Sequence, residues 1–421
     1  MKDLVYIIQA PPSWLKTPPL SLIYLKNYLK TKGFNAQIAD LNIEIFKALN
    51  ITLKQWLTLN QDFEESLFSL TKKTHPDILN DLYKKIEPAK FIGFSLTKRN
   101  APFSFELAKR IGQRFKNKQI IFGGPYALFL DQQNKLDNKN YWIIGEGEIP
   151  IAKILQGRSL RAQKVFRFQE IKDLDALALY DFEPLDINSY SSHLPLFSSR
   201  GCPYQCNFCS ERKLIKTFRH HSPLYMIEQI KLLQNKYRIN NFIFCDSFIN
   251  YKKKWLEDFC RLALKNQLNI KWEAQIRIDK DFPAELAGLM KQAGCYNLFV
   301  GLESGSDKIL KLMNKGFDTQ SAIDFFKTLK KENLHFEISL ILGYPGETEE
   351  DFEQTLRFIK ENKNIIPKIA QANPFIDYFS DSKEKTYPTK EAQERVDRFR
   401  KFIEKENIRY TKSFINNLVY S

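Results

Sequence analysis

The sequence predicts an α/β protein in which two successive sets of parallel strands alternate with helices. Short apolar runs recur between stretches of helical period, first over residues 4–144 and again over residues 194–374. Such an alternation is typical of parallel sheets whose faces are covered by helices. The chain has 421 residues, of which 43% are hydrophobic, so it is long and apolar enough for two or three domains.

The first set of strands indicates a doubly wound, Rossmann-like sheet. The predicted strands are 4–8, 34–41, 90–96, 119–122 and 141–144. The predicted helices are 20–32, which Gly33 ends as a C-cap, and 104–115, with a helical stretch over 44–87 that breaks near Asn60 and at His75-Pro76. We expect this domain to span residues 1–150 and to be followed by an ordered linker over residues 151–190.

Turn-forming segments mark the carboxyl ends of these strands, the edge at which doubly wound sheets bind ligands. They include Pro12, Ser95, Leu96, Thr97, Gly123, Gly124, Gly145, Glu146 and Gly147. Glycines at such an edge let the backbone approach a bulky, flat or phosphate-bearing ligand, although tight turns need them as well. Because no G-x-G-x-x-G follows the first strand, a nicotinamide dinucleotide site is disfavoured.

The second set of strands indicates a partial barrel. The predicted strands are 194–198, 241–245, 271–278, 297–301, 336–342 and 369–374. The predicted helices are 224–237, 255–266, 284–293, 307–313, 319–332 and 349–361. Six strand–helix units are fewer than the eight of a closed barrel, so we predict a partial (β/α)6 barrel over residues 191–378. The charged residues 379–421 predict a short C-terminal helical region.

Three cysteines lie in the loop after the first barrel strand. Cys202, Cys206 and Cys209 have the spacing C-x3-C-x2-C. Thiolates are the ligands of iron–sulfur clusters, and three of them leave one iron of a 4Fe–4S cluster open for chemistry. A structural zinc site is the alternative, but it would need a second ligand pair, and the adjacent His220 and His221 are poorly placed to supply one.

The remaining cysteines are Cys245, Cys260 and Cys295, which are scattered in apolar or amphipathic surroundings and predict buried small side chains. A cluster motif among so few cysteines suits a reducing interior, so we expect a cytoplasmic protein. The N-terminus resembles a first strand rather than a signal peptide, and we expect no transmembrane segment.

The cysteine motif resembles the signature of the radical S-adenosylmethionine (radical SAM) superfamily. In that superfamily the open iron chelates the amino and carboxylate groups of SAM, and the reduced cluster cleaves SAM to a 5′-deoxyadenosyl radical. The residue before the last cysteine is commonly aromatic and lies near the adenine, and Phe208 matches it.

Polar residues at the ends of the barrel strands are candidate SAM ligands. Glu273, Gln275 and Arg277 alternate along the third strand and so share one face, and Glu303 and Ser304 end the fourth. A carboxylate can accept hydrogen bonds from ribose hydroxyls or an amino group, and a guanidinium can donate to a carboxylate. We therefore expect Arg277, Glu303 and Ser304 to bind SAM. A further acid, Asp246, has an equally good explanation as a turn-capping residue.

Further segments resemble one subgroup of the superfamily, which carries an N-terminal cobalamin-binding domain and includes many methyltransferases. They are 300–306, 314–316 and 343–348 in the barrel, and the double proline, the helix at Leu20, 40–42, 123–125 and 145–148 before it. The resemblance covers roughly residues 1–350. It implies that cobalamin binds at the strand-end residues of the first domain.

The chain departs from the subgroup's relatives in two places. It lacks the D-x-H-x-x-G motif whose histidine ligates cobalt in cobalamin mutases, since His75 stands in no such context. Cobalamin would therefore bind without a histidine ligand, or be absent. The last strand reaches into residues 372–378, which lack the glycine-rich turn common in the subgroup. The resemblance therefore says least about substrate recognition.

The resemblance implies methylation of an unactivated carbon of a small-molecule or biosynthetic-intermediate substrate, with an electron donor such as ferredoxin or flavodoxin. One alternative is a radical SAM cyclase, rearrangement or oxidation enzyme without methyl transfer. Another is a nucleic-acid-binding protein with a structural cluster; the net charge of +15 permits it, but the charge is spread along the chain. A tRNA methylthiotransferase is set aside because residues 1–201 contain no cysteine for a second cluster.

Overall fold

The computed structural model describes residues 4–58, 66–157, 163–190, 193–377 and 388–411. These residues form two compact units. The first contains the residues up to His193 together with Leu214–Lys216, and the second contains Leu194–Lys213 and the described residues from Thr217 on. The predicted break at Asn60 lies outside the described residues, as does most of the region 379–389.

The first unit is a doubly wound α/β sandwich. Its strands are β1 (Leu4–Gln9), β2 (Asn35–Asp40), β3 (Phe91–Ser95), β4 (Gln119–Gly123), β5 (Tyr141–Ile144) and β6 (Val165–Arg167). Its helices are α1 (Leu20–Thr31), α2 (Leu41–Leu49), α3 (Leu53–Thr58), α4 (Leu67–Thr74), α5 (Pro76–Ile86), α6 (Ala101–Arg114), α7 (Pro125–Gln132) and α8 (Glu148–Leu155). In the described residues the strands form one sheet in the order β2-β1-β3-β4-β5-β6, and all pairs are parallel.

The central strands of this sheet are buried on both faces. In β3 the side chains of Phe91, Ile92 and Phe94 are all buried, as expected for a parallel strand with helices on both sides. Strand β6 adds to the five predicted strands by pairing with β5 within the residues expected as a linker. Helices α7 and α8 were not predicted, whereas the other ranges agree with the prediction to within a few residues.

The second unit contains a sheet whose strand order follows the chain. Its strands are β7 (Leu194–Leu196), β8 (Ser199–Arg200), β9 (Arg219–His220), β10 (Asn241–Phe244), β11 (Lys271–Ile276), β12 (Cys295–Glu303), β13 (Phe336–Leu342) and β14 (Ile369–Pro374). Its helices are α9 (Glu211–Leu214), α10 (Pro223–Tyr237), α11 (Lys253–Lys265), α12 (Ala284–Gln292), α13 (Asp307–Leu312), α14 (Thr319–Lys331), α15 (Glu349–Glu361) and α16 (Lys390–Lys405). In the described part of the chain, β7-β10-β11-β12-β13-β14 form one parallel sheet, with β8 and β9 as a separate antiparallel pair.

The C-terminal segment packs against the last strands of this sheet. Helix α16 contacts the turn after β13 so closely that a side chain on Gly343 would meet Cβ of Ala392 at 2.3 Å. After the helix, the backbone of Arg409–Thr411 lies along β14. The amide of Ile369 donates to the carbonyl of Arg409 (2.9 Å), and the amide of Thr411 donates to the carbonyl of Ile369 (3.0 Å).

Candidate active site

A buried carboxylate fixes the point at which the cysteine loop begins. Asp246 follows β10 and is 2% exposed. It accepts hydrogen bonds from the amide of Ser198 (3.1 Å) and from the hydroxyls of Ser198 (2.8 Å) and Ser199 (2.5 Å). Burial raises the pKa of Asp246 to about 6, although these hydrogen bonds act in the opposite direction. Asp246 therefore joins two neighbouring strand ends, a larger role than capping its own turn.

A second carboxylate holds the two ends of the cysteine loop together. Glu211 lies just after the last cysteine and accepts hydrogen bonds from the hydroxyl of Ser247 and the backbone amide of Gly201. Its burial raises its pKa. Gly201 has a φ of +79°, a conformation that glycine adopts at little cost, and this places its amide against the carboxylate.

The outer side of the loop is fixed to the end of helix α13. The amide of Asn207 donates to the carbonyl of Met313 (3.0 Å), and its side chain donates to the carbonyl of Leu312 (2.7 Å). In return, the side chain of Asn314 donates to the carbonyl of Gln205 (2.8 Å). The loop is thus held by hydrogen bonds from both sides.

The three thiols form one electrostatic group. Cys206 is buried, whereas Cys202 and Cys209 are partly buried. Burial raises the pKa of Cys209 to about 11, and the neighbouring Cys206 and Cys202 add to the effect. Among the described residues, no three His, Cys, Asp or Glu side chains are placed to hold a single metal ion. Three thiols in one short loop are the type of donor that iron–sulfur clusters take, so the residues present would suit a 4Fe–4S cluster with one open iron.

Arg277 lies directly against the cysteine loop. Its Nη1 donates to Sγ of Cys206 at 3.4 Å, and its guanidinium carbon lies 3.9 Å from the ring centroid of Tyr204. Its backbone is held by Asn250, whose side chain accepts from the Arg277 amide (3.0 Å) and donates to the Arg277 carbonyl (2.9 Å). The guanidinium is therefore placed beside the cysteine loop.

Glu303 lies in the interior of the second unit with a lysine as its partner. Its side chain is 11% exposed, and Oε1 accepts from Nζ of Lys315 at 3.2 Å, where the lysine side chain is 6% exposed. Oε2 accepts from the hydroxyl of Ser339 at 3.3 Å. The residue has a φ of +73°, which is rare for a side chain with a Cβ and is typical of functional sites.

Ser304 and Phe208 differ in burial. Ser304 is 1% exposed, and its hydroxyl accepts from the amide of Ser306 (3.1 Å) and lies 3.3 Å from the hydroxyl of Thr355. This hydroxyl is used inside the turn after β12. Phe208 is partly buried between two of the cysteines, and the ammonium of Lys315 lies 5.7 Å from its ring centroid.

The turn after β13 is held by the C-terminal helix. Glu347 is buried and accepts from the amide of Gly343 (2.7 Å) and from Nη1 of Arg395 (2.6 Å), which lies on α16. Burial raises the pKa of Glu347, and the arginine opposes the effect. Tyr344, in the same turn, packs edge-on against Phe375 with ring centroids 4.9 Å apart.

In the first unit, asparagines organise the predicted ligand-binding edge. After Pro12, the amide of Ser13 donates to Oδ1 of Asn42 at 2.6 Å. Asn100 is fully buried, accepts from the amide of Thr97 (2.8 Å) and donates to the carbonyl of Ser95 (3.0 Å). The side chains of Asn42 and Asn100 therefore bind the turns at the edge, and this leaves the turn backbones well defined.

Close packing restricts some glycines of this edge, above all Gly124, whereas a side chain on Gly123 would lie at an ordinary 3.7 Å from its neighbours. Gly124 has a φ of +89°, and a side chain there would meet the backbone oxygen of Leu96 at 2.6 Å. A side chain on Gly147 would meet Leu25 at 2.8 Å. Gly145 has a φ of +94°, and the Gly123 carbonyl accepts from the amide of Leu96 at 2.7 Å.

Glu146 is one of the acids of this edge. It is 6% exposed and accepts from the amide of Ile171 at 3.0 Å. Its carboxylate is thus committed at least in part to the chain that follows β6. The edge offers backbone groups and compact turns more than charged side chains.

Several residues of the second-unit site were not predicted. Lys315 is the buried partner of Glu303, Asn250 holds Arg277, and Arg395 pairs with Glu347. Lys315 stands in the segment 314–316 that carried part of the family resemblance, which was the one available signal. The partners of Arg277 and Glu347 are distant in sequence, and nothing in their local pattern indicates them.

The family comparison matches this unit. Residues 196–359 match the Radical SAM superfamily. This range begins at β7 and ends in α15, so it includes the cysteine loop, Arg277 and Glu303. The second unit therefore contains a radical SAM domain, the type of domain in which a 4Fe–4S cluster and SAM are bound.

Three curated relatives extend the likeness toward the N-terminus. An uncharacterized methyltransferase of Pyrococcus horikoshii, PH0819, is 29% identical in an alignment of 317 residues that covers 70% of this chain and 69% of the relative. Bacteriochlorophyllide d C-12(1)-methyltransferase of Chlorobaculum tepidum is 26% identical over 66% of this chain and 63% of the relative. Anaerobic magnesium-protoporphyrin IX monomethyl ester cyclase of Synechocystis is 25% identical over 63% of this chain and 58% of the relative.

Two solved structures share the fold. The cobalamin-dependent SAM radical enzyme OxsB, solved with aqua-cobalamin and SAM, matches with a TM-score of 0.68 and 17% identity over 96% of this chain and 56% of that chain. The radical SAM methyltransferase TsrM from Kitasatospora setae was solved with cobalamin and a 4Fe–4S cluster. It matches with a TM-score of 0.65 and 14% identity over 89% of this chain and 75% of that chain. With the superfamily match, this likeness confirms the predicted fold class: a doubly wound sheet followed by a partial radical SAM barrel.

One further finding concerns membranes. In the part of the chain that the structure describes, no helix is both long and apolar enough to cross a bilayer.

Proposed function

We propose that this protein is a cobalamin-dependent radical SAM methyltransferase that methylates an unactivated carbon of a small molecule. The observation that carries the proposal is the fold match over 96% of the chain to an enzyme solved with both cobalamin and SAM. The cysteine loop supplies the second half of the argument, because it keeps three thiols together and leaves one iron without a protein ligand.

The residues of the second unit hold the cluster and SAM. Cys202, Cys206 and Cys209 would bind three irons. A reduced 4Fe–4S cluster supplies the electron that cleaves SAM to methionine and a 5′-deoxyadenosyl radical. Arg277 would bind the SAM carboxylate while it donates to Cys206, and Glu303 would accept from the ribose hydroxyls or the amino group.

The first unit would hold cobalamin at the carboxyl ends of its strands. Methylcobalamin supplies a methyl group that can combine with a substrate carbon radical. The compact turns at Thr97, Gly124 and Gly147 would let the backbone approach a flat ring, and Asn42 and Asn100 fix those turns. We expect no histidine ligand to cobalt.

The electron donor would be a small low-potential carrier such as ferredoxin or flavodoxin, and the enzyme would work in a reducing, cytoplasmic interior. Each methylation would consume two SAM molecules and two electrons. One SAM yields S-adenosylhomocysteine and a methyl group. The other yields methionine and 5′-deoxyadenosine, and the latter carries the hydrogen taken from the substrate.

Product stoichiometry tests the proposal. The full chain is reconstituted anaerobically with iron, sulfide and methylcobalamin, then incubated with labelled SAM, reductant and cell extract. Equal amounts of S-adenosylhomocysteine and 5′-deoxyadenosine, with label in one extract compound, are expected. 5′-Deoxyadenosine alone would contradict methyl transfer.

A second candidate is a radical SAM cyclase or oxidation enzyme. One relative, at 25% identity, is an anaerobic magnesium-protoporphyrin IX monomethyl ester cyclase. Such an enzyme would produce 5′-deoxyadenosine without S-adenosylhomocysteine, so the same measurement separates the two. A protein with a structural cluster would leave SAM uncleaved under reductant.

A further inference from the structure

We propose that Lys315 is a positioning residue of the SAM site, which acts by holding the carboxylate of Glu303. This inference rests on the part of the proposed function in which Glu303 contacts SAM. It concerns the segment 314–316, which resembles the family but to which the site described above assigns no role.

The contacts place Lys315 between Glu303 and the cysteine loop. Its ammonium is 3.2 Å from Oε1 of Glu303, and both side chains are almost completely buried. The same ammonium lies 5.7 Å from the ring centroid of Phe208 and 5.4 Å from that of Phe317. A cation placed over aromatic faces is stabilised there, so the lysine has a defined position in the interior.

The backbone of the segment is tied to the same surroundings. Asn314 donates to the carbonyl of Gln205 in the cysteine loop (2.8 Å). A side chain on Gly316 would lie 3.6 Å from Nη2 of Arg277. Glu303, Arg277 and the cysteine loop thus meet at one short segment, and Lys315 is its buried charge.

The local backbone makes room for this pair. The register of β12 against β13 shifts between Gly301 and Glu303, and Glu303 has a left-handed φ. A side chain on Gly301 would meet Oε1 of Glu303 at 2.4 Å and Nζ of Lys315 at 3.4 Å. The strand therefore bends so that the carboxylate turns toward the lysine, and a glycine leaves the space for both groups.

A buried carboxylate needs such a partner. With Lys315 removed, the donor that remains to Glu303 among the contacts above is the neutral hydroxyl of Ser339. An unpaired buried charge is costly, and the side chain would turn toward water or toward Arg277. Either movement takes the acceptor away from the position at which SAM would meet it.

Equilibrium binding of SAM tests this role separately from turnover. The full chain, its cluster reconstituted anaerobically, is titrated with labelled SAM in the absence of reductant, so that SAM stays intact. Lys315→Met should raise the Kd for SAM by about 10- to 100-fold, the range expected for a hydrogen bond to a charged group. Lys315→Arg should retain most of the affinity, because it keeps a cation beside Glu303.

A double-mutant cycle distinguishes positioning from a general loss of structure. Glu303→Gln should weaken binding by itself, and Lys315→Met added to Glu303→Gln should cost little more, because its partner is already lost. Lys311→Met changes an exposed lysine on α13 and should leave the Kd unchanged. Iron content and the visible spectrum are measured for every variant. If Lys315→Met loses the cluster, two other comparisons test the role of the lysine. One compares the wild type with Lys315→Arg, and the other compares Glu303→Gln with the double variant.

The failures are distinguishable. A wild-type Kd retained in Lys315→Met, or penalties that add fully in the double variant, would overturn the role of Lys315 alone. If Glu303→Gln binds SAM as well as the wild type does, the assignment of Glu303 fails, and the inference fails with it. If the wild type does not bind SAM at all, the proposed function itself is wrong.

Discussion

The carboxyl edges of the two sheets consist of different types of residue. In the second unit the strand ends carry charged side chains with defined partners. Asp246 and Arg277 bind the cysteine loop or its start, and Glu303 and Glu347 pair with a lysine and an arginine from other segments. In the first unit the same edge also carries the acids Asp40 and Glu146, but its turns include positions whose close packing requires glycine, such as Gly124. Both sheets are parallel and have helices between their strands, but their strand orders differ, so the two edges differ in topology as well as in side chains.

This difference corresponds to the ligands that each edge would take. SAM carries a carboxylate, an ammonium and a sulfonium, and opposite charges with directed donors can hold it in one orientation. A corrinoid ring is broad and largely apolar, and shape with backbone contacts suits it better. The comparison predicts that substitutions at the barrel edge act on chemistry, whereas those at the first edge act on stability and shape.

The largest effect should follow from the thiols. Cys206→Ala removes a cluster ligand, so cluster content and SAM cleavage should both be abolished, as measured by iron analysis and 5′-deoxyadenosine formation. Cys260→Ala is the matched control, because Cys260 is fully buried within α11, away from the motif. It should lower the free energy of unfolding by about 1 kcal/mol and keep the cluster. Loss of the cluster in both variants would contradict the assignment of ligands.

Two glycines test the comparison directly. Gly124→Ala places Cβ 2.6 Å from a backbone oxygen at a φ of +89°, so it should lower the free energy of unfolding of the first unit by about 2–4 kcal/mol. Gly301→Ala instead meets the end of the Glu303 side chain, which can turn away. It should cost about 1 kcal/mol or less in stability but weaken SAM binding about tenfold.

Urea unfolding and SAM titration of the two variants check this prediction. A Gly301→Ala protein that unfolds as readily as Gly124→Ala would show that the two edges do not differ in kind. A Gly301→Ala protein with unchanged SAM affinity would show that the space beside Glu303 is not needed for binding.

The pH dependence of the free energy of unfolding should show the titration of a buried acid in each unit. Burial raises the pKa of Asp246 to about 6 in the second unit and that of Asp40 to about 6 in the first, where Tyr190 donates to the carboxylate. A raised folded-state pKa means that the folded protein binds the proton more tightly. The contribution to stability is therefore complete below about pH 4, the ordinary pKa, and is lost as the pH rises through about 6.

Asn variants of these acids isolate the effect, because they do not titrate. The free energy of unfolding of the wild type relative to Asp246→Asn should fall by about 2–3 kcal/mol between about pH 4 and about pH 6, and then level off. Asp40→Asn should show the same window in the first unit. A difference that grows as the pH rises would mean that the carboxylates are stabilised in their charged form.

The smallest effect concerns Arg277. Its hydrogen bond to Cys206 stabilises negative charge on the cluster sulfur, so its loss should make the midpoint potential of the cluster more negative. Arg277→Gln is expected to shift the potential in that direction in a spectroscopic redox titration without SAM. Lys252→Gln, at an exposed lysine, serves as the control for charge. An unchanged potential would leave Arg277 with a role toward SAM alone.

Periodicity was enough to predict much of the fold. The six main barrel strands and the first five strands of the sheet were predicted because each is a buried apolar run between helical stretches. Strand β6 was missed because it is three residues long and buries mainly Phe166. Helix α7 was missed because Gly123-Gly124-Pro125 resembles a turn, whereas Pro125 in fact begins the helix, where proline is tolerated.

Local patterns supplied the candidate site residues, but the side-chain pairings that the structure shows were not predicted. The spacing of the cysteines and the alternation to Arg277 are local patterns, so they are visible in the sequence. The pairing of Glu303 with Lys315 depends on a register shift and a left-handed residue, which no local pattern indicates. The pairing of Glu347 with Arg395 joins positions 48 residues apart. How the predicted cobalamin and SAM residues contact their ligands stays a prediction.

The short backbone contact between Ile369 and the segment Arg409–Thr411 has a consequence for how this chain can be shortened. A sheet that stops at β14 has an outer edge that could pair with another copy, and Arg409–Thr411 satisfy the amide and carbonyl of Ile369 at that edge. Truncation within α16 would remove this cover and favour self-association. Shortened versions made for crystallisation should therefore retain Thr411.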